Sequence, residues 1–273
     1  MSRFLPIIPA LLIVGAPARA DRIAPAFSPA ERALRAPVVV VGKVTAIEKD
    51  TIDARAYPGA ANKLAYKIAV VKIETGLAGT DGVTHVKIGF TTGRRYETAL
   101  TEGQEALFFL TKHHEGPFYI VPYMAPPMDA KAANFKQQVE EAKTVLALVA
   151  DPAKALKAEK AEDRFAAAVA VVFQLRMPRM EAPRGTEAVA LTADESRPIL
   201  KALAEGAWKV DRFDQTLNGY RSFVLLGLTE ADGWKPPAPE AGKDVVELTR
   251  AAYIKWLDGP GKDYRIKKLV PKK

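Results

Sequence analysis

The spacing of apolar residues changes once along this chain, near Pro126-Pro127. Before that point they fall in short runs rich in β-branched residues. Val38-Val39-Val40-Val41 continues through Val44 and Ile47 to Lys49-Asp50, and a second run covers Leu64 to Thr75 and closes at Gly76 and Gly79. A third alternates, with Val86, Ile88 and Phe90 on one face and His85, Lys87 and Gly89 on the other. Ala106 to Leu110 is continuously apolar, and Phe118 to Tyr123 gives a fifth run. Gly, Pro, Asn and Asp cluster between the runs, as turns require. Five strands in so short a stretch predict a small barrel rather than an open sheet.

After Pro127 the period becomes helical. Phe135, Val139, Ala142, Leu146 and Val149 mark one face of a helix from Ala130 to Ala150. Asp151-Pro152 restarts a helix, with Asp151 as N-cap and proline in the first turn, and a break is expected near Ala161. That segment carries Phe165, Val169, Val172 and Phe173 inward. Thr192 to Glu195 fits a capping box ahead of Ile199, Leu200 and Leu203, with Gly206 at the far end. Two more helices are predicted, Asp214 to Thr229 and Lys243 to Asp258, the last ended by Gly259-Pro260. The fold class is therefore α+β, β first and α second.

Composition places the chain among globular proteins: of its 273 residues 48% are apolar and 26% charged, too apolar for disorder and too interrupted for a membrane protein. There is no cysteine, which excludes disulfides, thiolate metal sites and cysteine nucleophiles. Residues 1–20, MSRFLPIIPALLIVGAPARA, read as a signal peptide. Arg3 supplies the positive end, Phe4 to Val14 the apolar stretch, and Ala18-Arg19-Ala20 the small-residue cleavage pattern before Asp21. The apolar stretch is too short for a span of about 20 residues and holds Pro6 and Pro9. The expected location is outside the cytoplasm, periplasmic or secreted.

The formal charge is +8, of which Arg3 and Arg19 contribute two. Lys262, Arg265, Lys267, Lys268, Lys272 and Lys273 against Asp263 give the last thirteen residues a net +5, so the body between is close to neutral. A nucleic-acid-binding domain spreads its basic residues over a folded face; here they gather in a terminal stretch. That stretch reads as a solvated tail, or as a tether to an acidic envelope surface.

Little in the sequence carries chemistry. After the leader the serines are Ser28, Ser196 and Ser222, and none lies in G-x-S-x-G or S-x-x-K. Neither a phosphate-binding P-loop nor G-x-G-x-x-G occurs. His113-His114-Glu115 offers ligand types for a metal, but neighbouring strand residues point to opposite faces and no H-E-x-x-H is present. No metal or cofactor is assigned, and the segment reads as an exposed polar turn before Gly116-Pro117. Glu140-Glu141, Glu159, Glu162 and Asp163 decorate a solvated helix face, with an alternative in which Asp163 and Arg164 form a buried pair beside Phe165. Tyr253, Trp256 and Leu257 fall at core spacing. The β half mixes Tyr66, Arg94, Arg95, Tyr96, Tyr119 and Tyr123, a basic-aromatic set suited to stacking and charge. Phe90 is expected inside with Val86 and Ile88. Arg94, Arg95 and Tyr96, on a loop led by Gly93, are the candidate contact residues.

Three motifs carry a resemblance. V-V-V-V-G-K-V at Val38 to Val44, Y-K-I-A-V-V-K-I-E at Tyr66 to Glu74 and L-T-E-G-Q-E-A-L-F-F-L at Leu100 to Leu110 resemble the OB-type barrel of netrin-like and tissue-inhibitor-of-metalloproteinase-like domains. The resemblance covers Val38 to Met124 and implies a first strand bent at an internal glycine and a G-Q turn leading into a buried strand. Metalloproteinase inhibitors of that type act through an N-terminal cysteine, which this chain lacks, so no functional residue carries over.

The expected organisation is a signal peptide (1–20), a lead-in (21–37), an OB-like barrel (38–128), a helical domain (129–258) and a basic tail (259–273). The expected work is non-catalytic binding of a protein or extracellular glycan, with no specific nucleic acid and no transmembrane segment. The alternatives are a carboxylate-dependent hydrolase with a site between the domains, or an envelope component held by the basic tail.

Overall fold

The computed structural model of the chain describes residues 27–92, 99–122, 125–179, 185–208 and 217–272. It has mixed α and β content: a six-stranded sheet built from the N-terminal half, followed by a helical region. The expected leader lies outside the described residues.

The strands are β1 (Val38–Arg55), β2 (Lys63–Ala78), β3 (His85–Phe90), β4 (Glu105–Lys112), β5 (Tyr119–Ile120) and β6 (Met128–Asp129). Their spatial order is β1-β2-β3-β5-β4-β6, and β1 also pairs with β4, so the sheet curls into a ring. The β3–β5 pairing, Ile88 to Tyr119 and Gly89 to Ile120, is parallel, and the other pairings are antiparallel.

The curl follows from particular residues. Gly42 lies where β1 crosses close to β2, and a Cβ there would stand 2.6 Å from the Lys72 carbonyl oxygen and 2.8 Å from Val71 Cγ1. Register shifts between Val44 and Ala46 and between Ile47 and Thr51 bend the hairpin further. β1 runs past Lys49-Asp50, where the apolar pattern stops, because backbone pairing to β2 continues through Arg55 opposite Lys63. Two other differences concern β5, shorter than Phe118 to Tyr123, and β6, a two-residue strand that gives no run to read.

Ring closure also explains the continuous apolar runs. Val38, Val40, Val44, Ala106, Phe108 and Leu110 point into the ring with Val71, Val86, Ile88 and Phe90. Their neighbours Val39, Leu107 and Phe109 point outward and are covered by Leu34, Val139, Ala142, Val145, Ala170 and Phe173. Strands buried on both faces lose the polar alternation. The covering residues come from α1 (Pro29–Arg35), α2 (Phe135–Ala150) and α4 (Ala161–Arg176).

The lead-in thus contains a working element. α1 opens with a capping box, in which Ser28 Oγ accepts from the Glu31 N–H and the Glu31 carboxylate accepts from the Ser28 N–H. Glu31 is fully buried and its Oε1 lies 2.5 Å from Arg221 Nη1. Arg32 is buried too, donating to the carbonyls of Phe27 and Pro126 at 2.8 Å each.

Among the helices, α3 (Pro152–Ala155) begins at Asp151, whose side chain accepts from the Lys154 N–H, and α4 resumes at the expected break. α4 is the central helix: seven consecutive residues, Ala167 to Phe173, are buried. Its alanines allow close approach by α5 (Ala193–Glu205) and α6 (Gly219–Leu226), and α7 (Val245–Asp258) completes the core. Thr192 and Glu195 form the predicted capping box on α5, and Asp244 caps α7. α6 is shorter than the expected Asp214 to Thr229: Asn218 is extended and caps its first turn, and Gly227 in the left-handed region ends it after Leu226; Asp214 itself lies outside the described residues. Trp208, Phe223, Trp234, Tyr253 and Trp256 pack together in this core, as the spacing of Tyr253 and Trp256 predicts.

The basic C-terminal stretch differs most from expectation. Pro260–Asp263 is a 3-10 turn, and β8 (Lys267–Pro271) pairs antiparallel with β7 (Thr186–Ala190). Ile266 is fully buried and its N–H donates to Ser196 Oγ at 3.1 Å. Over residues 260–271 the chain is therefore not a solvated tail. A run read as charge alone carries one buried apolar side chain and a strand pairing that fixes it. No helix of the described residues is long and apolar enough to cross a membrane.

Candidate functional site

One group of polar and aromatic residues gathers where the β1–β2 turn meets the connection between β4 and β5. Arg55 ends β1, Lys63 begins β2, and Tyr57 between them is 64% exposed. The segment after β4 folds back so that Glu115 reaches Arg55: its Oε2 accepts from the Arg55 N–H at 2.6 Å and its Oε1 from Arg55 Nη1 at 2.8 Å. The backbone hydrogen bond from Arg55, then the charges of Arg55, Lys63 and His114, hold the Glu115 carboxyl below the usual carboxylate range.

Beneath this pair lies a small apolar cluster on the outer side of the ring: Ala54, Tyr66, Ile68 and Phe118. Phe118 sits directly on the backbone of Gly89 and Gly116, and a Cβ on either glycine would collide with its ring. Tyr66 meets Phe118 at 5.1 Å between ring centroids and meets His113 edge-on at 5.2 Å.

His113 corrects the sequence reading. It is 3% exposed, not part of an exposed polar turn. Its Nδ1 accepts from the backbone N–H groups of Glu115 (3.2 Å) and Gly116 (2.9 Å), and the ring stacks at an angle on Phe118 and on the exposed His114. An acceptor Nδ1 assigns the proton of the neutral ring to Nε2. Burial, followed by the neighbouring His114, lowers the His113 pKa, against smaller opposing effects of the Arg55 backbone and Glu115. The sequence signal for this turn was Gly116-Pro117; nothing local told that the imidazole faces inward, because the wall it faces is Tyr66, far away in sequence.

The candidate contact residues Arg94, Arg95 and Tyr96 lie outside the described residues, as does Tyr123. The strand before them ends at Phe90, opposite Lys67 and inside the ring with Val86 and Ile88 as expected. Tyr119 is half-buried on β5. Among the described residues no group of three or more His, Asp or Glu is placed to hold a metal ion. Asp163 and Arg164 are not brought together as a buried pair; Arg164 Nε instead donates to Glu205 at 2.8 Å.

The second candidate group is the basic stretch. Lys262, Arg265, Lys267, Lys268 and Lys272 are all exposed, and Lys273 lies outside the described residues. Their backbone is fixed: β8 pairs with β7, and Arg176 donates to the Lys267 and Leu225 carbonyls at 2.7 and 2.6 Å. Beside it an open groove of about 460 Å³ is lined by Asp232, Asp263, Tyr264, Arg265 and Lys267. Both acids and bases line it, so it selects no sign of charge. The Tyr264 hydroxyl donates to the Leu226 carbonyl at 2.9 Å, and burial pushes its pKa up to about 12.

No protein-family model matches the chain, and no curated protein is significantly similar to it.

Proposed function

We propose that this chain is an exported, non-catalytic binding protein whose ring is an OB-like barrel and whose ligand is a protein or an extracellular glycan. The observation that carries the reading is the ring itself: the closed order β1-β2-β3-β5-β4-β1 with one parallel pair is what an OB-type Greek-key barrel requires. Barrels of that type bind polymers through strand faces and loops. One outer wall of this ring is covered by α1, α2 and α4, which leaves the end bearing Arg55, Tyr57, Lys63 and His114 for contact. Arg94, Arg95 and Tyr96, which follow β3 in the sequence, belong to the same proposal.

The test is capture of a partner by the chain from Asp21 to Lys273, from envelope extract and on a glycan array. The expected result is a discrete partner that persists at high salt and is lost when Arg94, Arg95 and Tyr96 are replaced together by alanine. Capture unchanged by that triple replacement and by Arg55→Ala with Tyr57→Ala refutes the assignment of the contact surface.

A second reading rests on the exposed lysines of β8. A strand that holds Lys267 and Lys268 on a fixed backbone, with Lys272 just past its end and its N–H bonded to the Gly185 carbonyl, presents basic side chains to an acidic envelope polymer or membrane. Attachment of that kind weakens with salt and disappears when these lysines become glutamine, whatever happens at the ring.

A further inference from the structure

We propose that the connection from His113 to Phe118 is an acid-operated clasp: protonation of His113 opens the turn and uncovers the aromatic face of Tyr66 and Phe118. This goes beyond the binding reading and holds whatever the ring binds.

The argument rests on hydrogen-bond geometry. In the closed turn the lone pair of Nδ1 takes two backbone donors, the N–H groups of Glu115 and Gly116. A proton added to a neutral imidazole goes to that lone pair. The turn would then point three N–H donors at one another, and both backbone amides would lose their acceptor. The other ring nitrogen offers little relief: Nε2 is buried and makes no well-formed hydrogen bond, and the nearby Arg55 backbone favours the cation less than burial disfavours it. A buried cation whose new Nδ1–H has no acceptor is unstable against opening to water.

The surrounding charges do not rescue it. His114, whose ring centroid lies 4.5 Å away, disfavours a second positive charge when protonated. Glu115 favours the cation but is engaged by Arg55 through both carboxylate oxygens, with Lys63 adding positive charge nearby. From β2 the facing titratable group is Tyr66, edge-on to the ring. The His113 pKa accordingly lies below its ordinary 6.5, with burial the largest cause.

The turn also has something to release. Phe118 is 1% exposed and rests on Gly89 and Gly116. The His113 N–H donates to the Phe118 carbonyl at 2.9 Å and closes the loop between them. Opening the turn separates Phe118 from the ring of His113 and frees Glu115 from Arg55, so one proton loosens both the polar and the apolar fastening.

The test is hydrogen–deuterium exchange of the whole chain at about pH 7.5 and about pH 5, corrected for intrinsic exchange rates. The amides of Glu115 and Gly116 are expected to open up to about tenfold more per pH unit below the ordinary histidine value, while those of β4 hold. His113→Asn keeps a short acceptor for the two amides and cannot titrate, so it should flatten this dependence; His114→Gln should preserve it. If H113N does not fold, nitrogen chemical shifts of His113 in the unaltered chain give a separate answer, with the proton on Nε2 at neutral pH expected. Protection that does not change with pH, dependence that survives H113N or vanishes with H114Q, or a neutral ring protonated at Nδ1 would each overturn the clasp.

Discussion

Replacing Glu31 by glutamine is expected to destabilise the chain by about 3 kcal/mol. Glu31 has no exposed surface, lies 2.5 Å from the guanidinium of Arg221, and supplies the negative charge nearest two further arginines of its own helix, Arg32 and Arg35. Arg32 is itself buried, and the acceptors of its own hydrogen bonds are the neutral carbonyls of Phe27 and Pro126. Burial lowers the pKa of both Arg32 and Arg35, and Glu31 opposes that effect. Glutamine preserves the shape and the acceptor for the Ser28 N–H, so the substitution removes only the countercharge. Breaking a buried pair by neutralising one partner costs about 3–5 kcal/mol. Arg221 is one-third exposed, which lowers its share, whereas Arg32 has no such relief, so the expectation sits at the lower end. For a chain of this length that is a fall in Tm of about 5 °C.

Urea unfolding followed by tryptophan fluorescence measures it, because Trp208, Trp234 and Trp256 are all buried in the helical core. Arg221→Met alone and combined with Glu31→Gln closes a double-mutant cycle, with a coupling above about 1 kcal/mol expected. A cost for Glu31→Gln below about 0.5 kcal/mol would refute the reasoning, since it would mean the buried arginines need no countercharge.

Phe118→Ala should cost about 3 kcal/mol through the cavity left on Gly89 and should raise exchange at Glu115 and Gly116 without changing exchange in α4; equal loosening of both would contradict a local cluster. Thr192→Ala removes the acceptor for the Glu195 N–H and one arm of the capping box, and thermal unfolding should show a loss of about 1 kcal/mol. Tyr253 and Tyr264 both have pKa values raised by burial above the ordinary 10, Tyr264 to about 12. Their ionisation therefore belongs to the unfolded state first: the stability they contribute is fully present below pH 10 and is lost as pH rises from there toward about 12. Ultraviolet titration should show the two ionising only as the chain unfolds, and a reversible native titration of Tyr264 near 10 would contradict its burial.

How much of this was legible in the sequence depended on whether the cause was local. The Thr192 to Glu195 box and the Asp151-Pro152 restart were readable because each is set by contacts within one helical turn. The inward face of β3 was readable because alternation survives in a strand with one polar face. β7 was not, since Thr186 to Ala190 holds only small or exposed residues and exists by pairing with β8, about 80 positions later. His113 was misread for the same reason: two of its walls are local, but Tyr66 is not. Of the candidate site residues, Lys262, Arg265, Lys267, Lys268 and Lys272 are exposed as the charge pattern suggests, while the strand that fixes their backbone gave no sequence signal.

β1 and β4 explain why the two halves pack as they do. Each presents one row of side chains to the ring interior and the next row to the helices, so Phe108 and Phe109 are both buried, in different cores. A change at Phe108 acts on the ring alone. A change at Phe109 loosens α1, and with it Arg32, whose guanidinium lies 5.9 Å from the Phe109 ring centroid. Glu31 and Arg221 extend the connection to α6 and so to the tryptophan core. The short helix before the first strand, read from the sequence as a lead-in, joins α2 and α4 in fastening the ring wall to the helical core.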